Sequence, residues 1–164
     1  MLLLDRGSLT QRLRTAYPDF ALHLQSEGWA RPSWSEAKRL NCSEKSTGWL
    51  RIITLNGHQT PLIYARTFIP QETLKSQGRT LQHLGTQSVG DLLFAYQSPQ
   101  RDPIEYSLLL PEHPLFRAAV EHVQEELSQL WARRSVLYFH EHPLLVTEVF
   151  LPSVLRVGMV KKRN

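Results

Sequence analysis

Apolar and polar positions change period several times along the chain, and the changes mark out its elements. Ser8-Leu9-Thr10-Gln11 has capping-box spacing, which predicts a short helix from there to about Ala16, before Pro18. Phe20-Ala21-Leu22-His23-Leu24 alternates and predicts a strand. Residues 28–48, with Trp29, Pro32, Trp34 and Gly48, are mixed and read as a loop. Residues 49–55 and 62–69 are two strand patterns, and Asn56-Gly57 between them signals the turn of a hairpin. Pro70 opens a helical stretch, Gln71 to about Ser76. A turn of helix over 81–84 ends at Gly85, and Ser88 caps a helix expected over 89–96. Residues 104–110 read as a strand. Over 114–131, Leu115, Ala119, Val123, Leu127 and Leu130 fall on one helical face. Two further strands are expected at 135–139 and 144–151, with His142-Pro143 as their turn. The sum is an α+β fold, an antiparallel β-sheet with flanking helices, in one domain over residues 1–164.

Alternation then exposes two charges in the wrong company. Glu148 shares its strand face with Leu144, Val146 and Phe150, while Leu145, Thr147, Val149 and Leu151 form the other. Arg51 shares a face with Trp49, Ile53 and Leu55, opposite Leu50, Ile52 and Thr54. Both faces being apolar, each charge is expected in a buried or half-buried setting. A buried carboxylate needs a partner, and a guanidinium cannot shed its charge and needs an anion. The two could answer each other in a structural ion pair, or Arg51 could hold a bound carboxylate in a bidentate contact. Arg66, on the partner strand, is a second candidate or a surface residue. The helix starts at Leu9 and Val89 present backbone N–H groups suited to an anion.

Other conspicuous residues change the picture little. Arg133-Arg134 reads as a solvated basic patch. His140-Glu141-His142 lacks a third ligand, so no metal is expected, and no cofactor motif or nucleophile elbow is present. With 41% hydrophobic and 21% charged residues, the 164-residue chain has ordinary globular composition. Its single cysteine, Cys42, points to a reducing compartment. Three leucines before Asp5 are too short for a leader core. A cytoplasmic monomer without membrane insertion is expected. The net charge of +4 gathers partly in Lys161-Lys162-Arg163, read as a solvated tail, and no nucleic-acid partner is expected.

In order and spacing, several segments resemble the chorismate pyruvate-lyase family: the opening Leu2-Leu3-Leu4-Asp5-Arg6-Gly7-Ser8-Leu9-Thr10, Trp49-Leu50-Arg51, Ala65-Arg66-Thr67, Leu81-Gln82-His83-Leu84-Gly85 leading to Val89-Gly90, and Arg133-Arg134-Ser135 followed by the stretch from Pro143 to Pro152. The resemblance runs to about residue 152. It implies conversion of chorismate to pyruvate and 4-hydroxybenzoate for ubiquinone synthesis, on a chorismate lyase-like fold with the ligand enclosed beneath helical flaps. It further implies that Arg51 holds the ligand carboxylate, that Leu9 and Val89 give backbone contacts, and that Glu148 meets the ring hydroxyl. Arg51 and Glu148 would be the catalytic residues. The alternative is a non-catalytic domain of this fold that binds 4-hydroxybenzoate or a similar aromatic acid. Three departures stand out. The chain opens where family members carry a preceding segment, which would weaken a flap; Ala65 stands in place of glycine and would narrow the pocket; and residues 108–130 are longer than the family form, an insertion expected as a peripheral helix.

Overall fold

The computed structural model describes residues 2–77, 79–95 and 100–160. Its centre is one six-stranded sheet: β1 (Ala21–Ala30), β2 (Gly48–Gly57), β3 (Thr60–Pro70), β4 (Glu105–Leu109), β5 (Leu130–Phe139) and β6 (His142–Phe150). The order is β1-β2-β3-β6-β5-β4, and every ladder is antiparallel. A 3₁₀ turn (Leu2–Leu4) precedes α1 (Leu9–Ala16); then come α2 (Trp34–Leu40), α3 (Gln71–Gln77), α4 (Arg79–Gln82), α5 (Val89–Ala95), α6 (Pro114–Val120) and α7 (Pro152–Val160). The expected α+β architecture is therefore present. No helix among the described residues is long and apolar enough to cross a membrane.

Strand alternation divides the core into two layers. On one sheet face, α1 and α7 join Ile53, Leu55, Ile63, Ala65 and Phe150 in a cluster, while α3, α4 and α5 join Ile69, Leu137 and Leu144 in another. On the opposite face, α6 packs on Tyr64, Ala132 and Val149, and Leu40 of α2 packs on Phe68, Val136 and Leu145. The first face thus has two apolar clusters with a gap between them. The candidate site occupies that gap.

Several local expectations are corrected. The segment 28–48 is not a loop throughout: β1 runs on to Ala30, and a Ser33–Glu36 capping box starts α2. The first hairpin turns at His58-Gln59, both with positive φ, rather than at Asn56-Gly57. Gly57 instead permits a close approach, because a Cβ there would lie 2.4 Å from the Tyr17 ring. Asp19 fixes the turn by accepting from the His58 N–H at 2.9 Å. The β5–β6 turn is likewise His140-Glu141, and His142-Pro143 opens β6. The helix expected over 114–131 stops at Val120. Glu121 stands at its C-cap, where a carboxylate opposes the helix dipole. Val123 and Leu127 still pack beside α6, but Leu130 and Trp131 belong to β5. The segment 108–130 therefore carries a short helix, on the face away from the gap. The chain after Leu151 forms α7, which strand patterning did not anticipate. Val89–Ala95 is the described extent of α5; Tyr96 and the Lys161-Lys162-Arg163 tail lie outside the described residues.

Candidate active site

The gap between the clusters holds a partly enclosed cavity of about 50 Å³. Its floor is the sheet: Arg51, Ile53 and Leu55 of β2, Ala65 and Thr67 of β3, Val146 and Glu148 of β6, Arg133 and Leu137 of β5. Its roof is the starts of two helices, Ser8-Leu9-Thr10 and Ser88-Val89-Gly90, with Phe94 and Arg101 at the side. Small-molecule pockets usually measure roughly 300 Å³ or more. A ring-sized ligand therefore enters only if the roof moves. Ala65 lies directly across the ladder from Glu148, and both line this cavity.

Arg51 is 1% exposed. Its Nη2 donates to the carbonyls of Gly85 at 2.6 Å and Gln87 at 3.1 Å, in the loop that leads into α5. Gly85 can present its carbonyl this way because it adopts φ +57°, a left-handed conformation natural to glycine. Nη1 reaches Glu27 at 3.4 Å. Nε is buried and has no hydrogen-bond partner among the described residues. Burial lowers the Arg51 pKa from its ordinary value, against the pull of Glu27.

Glu148 does not pair with Arg51. Its Oε2 accepts from Nε of Arg133 at 2.5 Å, directly across the β5–β6 ladder. Arg133, read from sequence as part of a solvated patch, is 2% exposed. Its Nη1 also donates to the carbonyls of Leu2, Leu3 and Asp5, so one guanidinium joins Glu148 to the N-terminal segment. Arg134, its neighbour, faces the other way and pairs with Glu105. Glu27 and Arg101 were also missed by sequence reasoning. The available signal for Arg133 was parity: it shares a β5 face with Ser135 and Leu137.

Leu9 and Val89 both line the cavity. The Ser8 hydroxyl accepts from the Gln11 N–H at 3.2 Å, and the Ser88 hydroxyl from that of Asp91 at 2.9 Å. The N–H groups just after each cap have no acceptor within their own helix, which is the usual state of a helix start. Leu9, Arg51, Val89 and Glu148 therefore line one cavity.

Arg66 is not among them. It projects to the opposite face and grips Glu36 of α2 with Nε at 2.5 Å and Nη2 at 3.0 Å. Burial raises the Glu36 pKa, but the bonds from Arg66 and Ser33 outweigh it and hold the carboxyl below the usual value of 4.5. A depressed folded-state pKa stabilises the fold above the unfolded value, and the contribution is lost as pH falls through the folded one. Melting temperature should therefore drop through the acid range below pH 4.5. Glu36→Gln should cost about 2 kcal/mol near neutrality and flatten part of that acid limb; an unchanged acid limb would remove Glu36 from the account.

Among the described residues, no group of three or more His, Cys, Asp or Glu side chains could hold a metal ion. The chemical resources of the cavity are guanidiniums, one carboxylate, backbone N–H groups and apolar walls.

A family model described as chorismate lyase matches residues 1–158. A protein from Methylococcus capsulatus described as "probable chorismate pyruvate-lyase" is 38% identical over 93% of this chain and 94% of its own. One from Nitrosomonas europaea with the same description is 34% identical over 94% of this chain and 87% of its own. Among solved structures, the effector domain of PhnF from Mycobacterium smegmatis superposes with a TM-score of 0.66, at 12% identity over 92% of this chain and 91% of that one. A GntR-family transcriptional regulator from Bacillus cereus gives 0.62, at 11% identity over 82% and 93%. At such identities the two structures share the fold with this chain.

Proposed function

The chain belongs to the chorismate lyase family, and from that premise we propose that it eliminates pyruvate from chorismate to leave 4-hydroxybenzoate, as a step towards ubiquinone. The observation that carries this reading is the cavity itself. A buried arginine with an unpartnered Nε stands on the same sheet face as a half-buried carboxylate, with apolar walls around both.

Arg51 anchors the ring carboxylate, with the N–H groups at Leu9 and Val89 completing its cradle. Glu148 takes the ring hydroxyl. In the reaction the enol-ether C–O bond breaks, a ring proton is lost, and the departing enolpyruvate takes up a proton to become pyruvate. Aromatisation drives this, so the protein supplies orientation and electrostatic stabilisation. Glu148 assists proton movement at the hydroxyl end. No cofactor enters the scheme. A cavity that closes on its contents makes product release slow. The acting unit in this proposal is a monomer. The lone thiol suits the cytoplasm.

The decisive assay follows 4-hydroxybenzoate by ultraviolet absorbance and pyruvate by a coupled enzyme while pure protein is incubated with chorismate. Equal amounts of both products are expected. Binding of 4-hydroxybenzoate without any turnover would favour a ligand-holding domain, a reading prompted by the regulator effector domains that share the fold. Glu148→Gln should lower turnover about 100-fold. It keeps a hydrogen-bond acceptor for Arg133, so its melting temperature should move by only a few degrees. A variant that unfolds would reduce Glu148 to a structural partner of Arg133.

A further inference from the structure

Three guanidiniums line the cavity, and they are unequally answered. Arg133 has Glu148, and Arg51 has Glu27. Arg101 precedes β4 and forms an isolated antiparallel bridge with Leu137 of β5. Its Nε donates to the Ser135 hydroxyl at 2.9 Å and its Nη1 to the Arg6 carbonyl at 3.0 Å. Among the described residues no carboxylate is bonded to it. Burial lowers its pKa; Glu148 pulls it back up and the neighbouring Arg133 pushes it further down. A guanidinium placed on neutral acceptors beside a second guanidinium is a position that an incoming anion stabilises.

We propose that Arg101 binds the second carboxylate of the substrate, the one on the enolpyruvyl side chain, and so distinguishes the dicarboxylate substrate from the monocarboxylate product. The assignment rests on the chorismate reading above. In that substrate the ether-bearing carbon adjoins the hydroxyl-bearing carbon, at the end of the ring away from the ring carboxylate. With the carboxylate at Arg51 and the hydroxyl at Glu148, the side chain leaves the ring beside Glu148. Arg133 lies directly across the ladder there, already engaged by Glu148 and the carbonyls of Leu2, Leu3 and Asp5. The next residue on that face of β5 is Ser135, which holds Arg101. Arg101 is thus the adjacent cation free to receive the side-chain carboxylate. As the C–O bond breaks, negative charge develops on the departing enolpyruvate, next to the same cation. The aromatic product keeps only the carboxylate at Arg51, so Arg101 has no hold on it.

The test compares two ligands in three variants, Arg101→Met, Arg101→Lys and Ser135→Ala. For Arg101→Met, the KM for chorismate should rise about 30-fold, the loss expected for one charge-assisted contact. Affinity for 4-hydroxybenzoate, measured by calorimetry, should stay within about threefold of wild type. Arg101→Lys should fall between, because an ammonium keeps the charge and loses the fork. Ser135→Ala should weaken chorismate alone, by a smaller factor. Should Arg101→Met fail to fold, the other two variants read the same split. Equal losses for both ligands would make Arg101 a structural tie to the Arg6 carbonyl and overturn the proposal, as would an unchanged KM. Wild-type turnover without the split defeats this proposal alone; wild-type protein that neither binds nor converts chorismate defeats the enzymatic reading with it.

Discussion

Arg51→Ala should lose nearly all turnover and most affinity for 4-hydroxybenzoate. The side chain is buried, and its Nε has no partner among the described residues. Truncating one side of a desolvated charged contact costs about 2–5 kcal/mol. That range corresponds to roughly 30- to 5000-fold in kcat/KM and in the product dissociation constant. The structural damage should be smaller, since Glu27 can turn to solvent, whereas the Gly85 and Gln87 carbonyls lose the donor that ties the α5 approach to the sheet. Arg51→Lys should recover little, because a point charge cannot serve those two carbonyls and a ligand carboxylate together. Pyruvate release at the wild-type rate from Arg51→Ala would remove the residue from the mechanism.

Arg133→Met should have the largest effect on stability. It leaves the half-buried Glu148 without its cation and releases the Leu2, Leu3 and Asp5 carbonyls. Breaking a buried ion pair from one side costs about 3–5 kcal/mol. For a chain of this size that is roughly 6–20 °C in melting temperature. Combining Arg133→Met with Glu148→Gln should restore part of the lost stability, because the stranded charge is gone, and none of the turnover. A double variant as unstable as the sum of the singles would show that the two residues are not coupled.

The contrast between Arg51 and Arg133 shows what the sequence made legible. Arg51 and Glu148 were found because β2 and β6 alternate cleanly, and period two fixes which side chains share a face. Arg133 was hidden by a competing period. The helical spacing of Leu115, Ala119, Val123, Leu127 and Leu130 is real, and all five residues do pack in one cluster. Extending that helix to Trp131 delayed the strand, and Arg133 lost the parity that would have set it beside Ser135 and Leu137. Glu27 was hidden by an irregular backbone. The β1–β2 register slips between Leu24 and Ser26, so Gln25 is an extra residue and Glu27, rather than Ser26, stands opposite Arg51. Alternation from Phe20 to Leu24 fails at that bulge, which is why the strand seemed to end there. The turns were displaced by two residues for a related reason. His58-Gln59 and His140-Glu141 take left-handed conformations without glycine, whereas Gly57 is needed for the Tyr17 contact.

The roof and the floor of the cavity lie far apart in the chain. The carbonyl of Leu2 meets Arg133 across a separation of 131 residues, and β6 inserts between β3 and β5 only after all the others have been made. On the ribosome, the β1–β3 meander therefore emerges with its β3 edge unpaired, waiting for residues 142–150. Exposed strand edges of this kind invite pairing with other chains. Until β6 is synthesised there is no Glu148 for Arg133 to meet, and the anchor of the N-terminal segment on Arg133 is a contact of high sequence separation, a kind that slows folding.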